Sequence, residues 1–236
     1  MTQFTLFNLP IELLQKIACS LRVKDLNQLS CVSRSGYTLF NESLWKEKLT
    51  CLLMHVRKSN YEKVDEILER DASLLLLKGC ARDGRRKFKK ITAFQYALWN
   101  LDWQMWVIMI YHFKKNQLMH EAREQFDELE SKGTKYGKYY DFTPLIDALD
   151  NFEKHCDCSW TSDVCEPYWY NTIGALRKKV PVHVAYVCQR ERALEYIKVI
   201  RELNDTCQQA LIKLKQVLAG ECEQLNFCQN PIKHFF

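Results

Sequence analysis

Turn-forming residues are scarce in this chain, which holds 7 glycines and 5 prolines among 236 residues. An all-β fold needs a reversal roughly every 8–12 residues, so this shortage favours long helices. Long apolar runs are missing too. The longest stretches, such as 103–113, fall well short of the ~20 residues that cross a hydrocarbon core. No charged-then-apolar leader opens the chain, because Met1–Asn8 is short and uncharged. Neither terminus carries a lipidation motif. These absences predict a soluble protein with no membrane among its partners. The 11 cysteines are odd in number and scattered along the chain. They do not read as a secreted disulfide framework, and reduced thiols in a cytoplasmic compartment are expected.

Charge of one sign is also lacking, except in one place. The formal net charge is +5, yet the stretch Lys78–Lys90 contains Lys78, Arg82, Arg85, Arg86, Lys87, Lys89 and Lys90 against Asp83 alone. The remainder of the chain is close to neutral. Such a run reads first as a solvated loop, then as a site for an acidic protein partner. Phe88 is its one aromatic residue, too few for stacking bases, so nucleic acid is not expected as a partner.

What is present is a series of amphipathic segments, which predicts an all-α fold. Leu9-Pro10 followed by Ile11-Glu12-Leu13-Leu14 reads as a helix start, with proline where no N–H is needed and an acid near the positive end of the helix dipole. Leu13, Ile17 and Leu21 recur at spacing four on one face. A second helix is expected from an N-cap at Asp25, carrying Leu26, Leu29 and Val32. The anchors Leu44-Trp45 follow a polar turn at Asn41-Glu42-Ser43. Three short helices in about forty residues cannot enclose much core, and modules of this size usually need a metal, disulfides or a partner surface.

These residues resemble the F-box. Leu9-Pro10, Glu12-Leu13-Leu14, Ile17, Leu21, Asp25-Leu26, Leu29-Ser30, Val32-Ser33-Arg34 and Leu44-Trp45 follow the family pattern in order and gap, over roughly residues 5–50. Gly36 departs from it, standing where the family often has tryptophan. The resemblance implies docking on the Skp adaptor of a cullin–RING ubiquitin ligase, with contacts from Leu9, Pro10, Leu13, Ile17, Leu26, Val32, Leu44 and Trp45. It implies no catalysis by this chain, which would act by proximity, holding a substrate beside the ubiquitin-conjugating enzyme.

From 51 to 150 the chain reads as helical pairs. Asn60–Arg70 is amphipathic with Val64, Ile67 and Leu68 inward. Thr92–Leu98 is echoed by Thr143–Leu149, with Ala97 and Ala148 at matching places. These segments resemble ankyrin repeats, whose signature includes Thr-Pro-Leu-x-x-Ala. Asn60 and Asn100 would be equivalent turn positions, separated by more than the family period of about 33 residues. The excess matches the basic stretch 78–90, which is placed as an insertion. The free side of such a stack would bind the protein substrate. Tyr96, Trp99, Trp103 and Trp106 recur at helical spacing and read as one core stripe, the alternative being an exposed hot spot.

The region 151–236 is expected to be helical. His155, Cys156, Asp157, Cys158 and Cys165, with His183 and Cys188, offer zinc-type ligands, but not at a standard finger spacing. Ordinary thiols and no cofactor are expected, with structural zinc as the alternative. Trp169–Val180 reads as a packed helix ending near Pro181. From about Arg190 to Ala219 a long amphipathic helix is predicted, with Leu194, Ile197, Ile200, Leu203, Cys207, Leu211, Leu214 and Leu218 inward and Gly220 as the stop.

The whole resembles F-box effectors of intracellular bacterial pathogens, which implies action in a host cytoplasm. The leading reading is a substrate-recruiting F-box subunit. A scaffold that sequesters the Skp adaptor is the second, and a Cys/His hydrolase in the last third is the enzyme alternative.

Overall fold

The computed structural model describes residues 9–32, 34–83, 86–156, 161–187 and 193–220. The described residues are dominated by helices, as composition predicts, with one short hairpin among them. Helices α1 (Ile11–Ser20), α2 (Val23–Val32) and α3 (Arg34–Arg57) lead into α4 (Tyr61–Arg70). A 3₁₀ turn at Ala72–Leu76 and the antiparallel strands β1 (Gly79–Asp83) and β2 (Arg86–Ile91) follow. Next come α5 (Ala93–Trp99), α6 (Trp103–Lys115), α7 (Met119–Lys132) and α8 (Thr143–Cys156). The chain then runs through α9 (Ser162–Pro167), a π-helical segment Tyr168–Ile173, α10 (Gly174–Arg177), α11 (Val182–Val187) and α12 (Ala193–Ala219).

The N-terminal helices differ from the expectation in two places. Helix α2 starts at Val23, ahead of Asp25. Its first turn is closed by Leu26 N–H donating to the Arg22 carbonyl at 3.0 Å, and Asp25 pairs with the Arg22 guanidinium at 3.3 Å instead of capping. The polar turn expected at Asn41–Ser43 is absent, because α3 runs straight through it. Glu42 and Lys46, one helical turn apart, pair at 2.6 Å and suit the segment to helix.

Helix α3 joins two cores. Phe40 and Leu44 pack with Leu14, Ala18 and Leu26 in a small cluster. Leu49, Leu52, Leu53 and Val56 of the same helix belong to the large cluster that runs through the rest of the protein.

The turns that enter α4, α6 and α7 share one geometry. Ser59, Leu101 and Gln117 each adopt positive φ (51°, 57° and 59°). The N–H of the next residue closes a long turn onto the preceding helix: Asn60 to His55 O (3.0 Å), Asp102 to Ala97 O (3.1 Å) and Leu118 to Phe113 O (2.8 Å). This is the six-to-one bond of a Schellman ending. Asn60 then caps α4 by accepting from Lys63 N–H, and Asp102 caps α6 by accepting from Met105 N–H, both at 3.2 Å. The partner of Asn60 is therefore Asp102 and not Asn100, which still has helical backbone at the end of α5. A cap must follow the left-handed residue, and that fixes the register.

The same turn splits the aromatic stripe. Tyr96 and Trp99 lie on α5 while Trp103 and Trp106 lie on α6, so they form no continuous helical row. Tyr96, Trp99 and Trp106 are buried and Trp103 is half-buried, consistent with core.

The basic stretch pairs as two antiparallel strands and is not a loop, although its lysines remain exposed. Phe88 is buried and meets Tyr96, Trp99 and Tyr136 edge-on at 5.3, 4.7 and 5.0 Å between centroids. Arg86 lies over the rings of Trp99 and Tyr140 at 4.7 and 5.2 Å. It pairs with Asp83 at 2.7 Å and donates to the Lys179 carbonyl at 2.6 Å. These contacts tie the hairpin to the C-terminal third.

Helix α12 matches its predicted span to within a few residues. Ile197, Ile200, Leu203, Cys207, Leu211, Leu214 and Leu218 are all buried, and Gly220 ends the helix at φ +80°. Arg201 fastens α12 to α8 through Asp150 and Glu153. Where a helix was expected over 169–180 the chain is π-helical as far as Ile173 and α-helical over Gly174–Arg177, ending ahead of Pro181.

A buried polar network holds α5 to α7. Thr92 accepts from Gln95 N–H (3.1 Å) while its hydroxyl donates to Gln125 Oε1 (2.6 Å). Gln95 Oε1 accepts from Thr92 N–H, completing a capping box. Gln125 Nε2 donates to the Leu75 carbonyl at 3.0 Å. Thr92→Val keeps the side-chain shape but strands two buried groups, so it is expected to cost about 2–4 kcal/mol in chemical denaturation. Thr92→Ser is expected to stay within about 1 kcal/mol of wild type. Equal losses in the two variants would show that the network contributes nothing beyond packing.

Candidate functional site

The N-terminal helices place the residues expected to dock a partner in three groups. Leu26 and Leu44 are at 0% and 5% exposure, inside the small core. Leu9, Ile17 and Trp45 are half-buried, and the Lys48 ammonium lies 4.8 Å from the Trp45 ring. Pro10 is exposed, and Leu13 and Val32 point outward at 44% and 69% exposure. In α1 the edge that faces the core is Leu14 and Ala18. The Leu13–Ile17–Leu21 row therefore runs along the flank of the buried edge. Gly36 is buried in the first turn of α3.

Two outward apolar residues escaped the sequence reading, Ile11 at 54% and Tyr37 at 56% exposure. Ile11 carried a signal, since it follows the Pro10 start one turn ahead of the buried positions. Tyr37 carried none, because α3 was expected to begin later. The physical asymmetry is plain. Among the described residues the module buries Leu14, Ala18, Leu26, Phe40 and Leu44, while Ile11, Leu13, Val32 and Tyr37 remain in water. Single exposed apolar side chains are ordinary on a protein surface. Four large ones on so small a module make it a candidate for contact with another protein.

A second polar constellation lies between the helical pairs. Asp102, 3% exposed, accepts from the Ser59 hydroxyl (3.1 Å), the Tyr61 hydroxyl (3.3 Å) and Met105 N–H. His183 Nδ1 lies 3.9 Å from it. Cys207 is fully buried, and its thiol donates to the Leu101 carbonyl at 3.2 Å. Burial, with Asp102 adding to it, pushes the Cys207 thiol up to about 12. A cysteine so held stays a neutral thiol, whereas attack on a carbonyl needs a thiolate. Burial pushes His183 below its ordinary value, with the Asp102 charge opposing. Cysteine, histidine and aspartate thus meet here in an arrangement that ties α4, α6, α11 and α12 together and gives no activated nucleophile.

The residues that offered zinc as the alternative to ordinary thiols are described only in part. Asp157, Cys158 and Cys188 lie outside the described residues, and Cys165 is half-buried. Among the described residues no three His, Cys, Asp or Glu side chains gather in a metal-binding group. Nor is any described helix long and apolar enough to cross a membrane.

Comparison with known proteins bears on the first three helices. Residues 6–50 match the family model described as F-box-like, so the chain carries an F-box-like domain there. The chain is also similar to an uncharacterized protein of Coxiella burnetii (strain RSA 493 / Nine Mile phase I). The two are 28% identical over 190 residues, covering 68% of this chain. The chain spans 55% of that relative's length. No solved structure matches.

The depressed pKa of His183 predicts acid sensitivity. In the unfolded chain this imidazole takes a proton near pH 6.5. The folded protein resists doing so, and stability that is complete above about pH 6.5 is lost as pH falls toward the lower folded value. Between about pH 7.5 and about pH 5.5 the wild-type Tm is expected to fall further than that of His183→Gln. His55, also depressed first by its burial, accounts for a residual slope in the variant. Identical Tm losses in the two proteins would assign the acid limb to other groups.

Proposed function

We propose that this chain is the substrate-recruiting F-box subunit of a Skp–cullin–F-box ubiquitin ligase. The observation that carries the reading is the outward display of Leu13 and Val32, with Ile11 and Tyr37, on an F-box-like module that buries few apolar residues of its own. In this reading Pro10, Leu13 and Val32 touch the Skp adaptor directly, and Leu9, Ile17 and Trp45 contribute their exposed edges. Leu26 and Leu44 act from beneath, holding the three helices at the angle that presents the others. A direct role for these two would require the module to open.

The protein substrate is assigned to the helical pairs of 51–150, read as degenerate ankyrin-like repeats, with 151–236 closing the stack. The shared left-handed turns before α4 and α6 and their matching caps support a repeated unit. The chain itself supplies no proton transfer or nucleophile in this reading. It works in the cytoplasm, and the similarity to a Coxiella burnetii protein supports a bacterial effector acting in a host cytoplasm.

Co-expression of the full chain with a Skp-family adaptor tests the docking. A stable complex is expected, and Leu13→Asp or Val32→Asp is expected to weaken it by about 30-fold or more, the effect of losing a buried hot spot. Both positions are exposed in the free chain, so its thermal unfolding is expected to stay near wild type. Failure to bind the adaptor, or full binding by the Leu13→Asp/Val32→Asp double variant, would sink the proposal. Ubiquitin transfer to a bound partner in a reconstituted ligase separates recruitment from sequestration of the adaptor.

A further inference from the structure

Part of the basic stretch faces a cleft. Between β2 and the C-terminal end of α7 is a cavity of about 620 Å³, lined on the hairpin side by Lys87, Lys89 and Lys90 and on the other by Lys132 and Lys135. Among the described residues Glu128 supplies the one carboxylate of the lining, and its charge is already engaged. Lys78 reaches both its oxygens at 2.6 and 2.7 Å, Gln95 Nε2 donates at 2.8 Å, and Lys132 stands at 3.5 Å. Among the described residues, no carboxylate pairs with the ammonium groups of Lys87, Lys89 or Lys90.

The hairpin is built so that neighbouring lysines share a side. Gly79 pairs with Ile91 and Ala81 with Phe88, so Cys80 alone stands opposite both Lys89 and Lys90. In a regular strand Phe88 and Ile91, three residues apart, would face opposite ways. The bulge lets both turn inward, at 3% and 4% exposure, and leaves Lys89 and Lys90 both outside. Lys90 takes a left-handed backbone at φ 55° to do so, a conformation that few non-glycine residues occupy. Like charges gathered around one hollow repel one another unless an anion sits among them.

We propose that this cleft binds a small anion carrying clustered phosphate groups. Its volume falls in the range of small-ligand sites, about 300–1,000 Å³. Lysine ammonium groups are compact point charges suited to densely charged phosphates, and among the described residues no arginine lines the cleft to grip a carboxylate with a planar fork. Phe88 is buried beneath the hairpin and offers no face to a nucleic-acid base. The same chemistry is presented by a free polyphosphate and by a phosphorylated lipid headgroup. The site lies apart from the F-box-like helices, so it stands or falls independently of adaptor docking.

Isothermal titration of the full chain with inorganic tripolyphosphate tests the site. Saturable one-to-one binding that weakens as salt rises is expected. Lys89→Gln with Lys132→Gln is expected to weaken it by about tenfold or more, and Lys154→Gln with Lys178→Gln, exposed and outside the cleft, to leave it unchanged. Circular dichroism establishes that the variants fold. Should the cleft pair fail to fold, Lys135→Gln at the surface turn takes its place. A second arm uses phosphatidylcholine vesicles with and without a phosphatidylinositol bisphosphate. Binding to the phosphorylated vesicles alone, lost in the cleft variant, upholds the site and identifies a headgroup as the source. Binding of neither phosphate probe, equal losses in both double variants, or tighter binding of a glutamate-rich peptide than of tripolyphosphate would overturn it.

Discussion

Helix α3 is the constraint on which the architecture depends. Its first half contributes Phe40 and Leu44 to the small core, and its second half contributes Leu49 to Val56 to the large one. A core of so few residues is not expected to hold a three-helix module together unaided. A continuous helix solves this, because the backbone hydrogen bonds that propagate from the well-packed end order the other end as well. The consequence for function is geometric. In the proposed role, a partner docked on these helices would be held at a fixed angle to the helical body, as an adaptor placing a substrate requires. Gly79 marks how closely the body grips α3, since a Cβ there would come within 2.7 Å of Leu53 and 2.8 Å of Leu49.

Beyond α3, order is carried by repeated local geometry and by a few buried polar groups. The left-handed turns before α4, α6 and α7 reverse the chain with little glycine, using serine, leucine and glutamine at positive φ instead. Such positions are unfavourable for residues with a side chain and persist where the surroundings fix them. At Leu101 those surroundings are its own complete burial and the Cys207 thiol on its carbonyl. Asp102, the next residue, gathers Ser59 and Tyr61 from the neighbouring pair. Sequence-distant cysteine and histidine therefore converge on an aspartate without the exposure or the lowered thiol pKa that nucleophilic chemistry needs.

Much of this was legible in the sequence. The Leu9-Pro10 start, the paired helices after Asn60 and Thr92 and the long helix ending at Gly220 all follow from hydrophobic spacing and capping chemistry, which are local. The errors were also local in kind. Asp25 looks like an N-cap and Asn41–Ser43 looks like a turn, but helical packing of Phe40 and Leu44 against α1 and α2 overrides such weak preferences. The basic stretch read as a loop because its charge hides one decisive residue. Phe88 finds three aromatic rings drawn from α5 and from the segment after α7, a contact invisible to any short window of sequence.

The candidate sites divide in the same way. Which residues belong to the N-terminal module is a matter of pattern, and the sequence alone determined it. Which of them face outward depended on the slant of α1 against α3, and this put Leu14 and Ala18 inside while leaving Leu13 and Ile11 in water. The lysines of the hairpin were plain in the sequence, whereas the cleft they share with Lys132 and Lys135 arises only when α7 returns beside β2. Spacing along a chain reports which residues can share a face. What that face meets is decided by contacts between segments far apart in sequence, and these exist only in the folded protein.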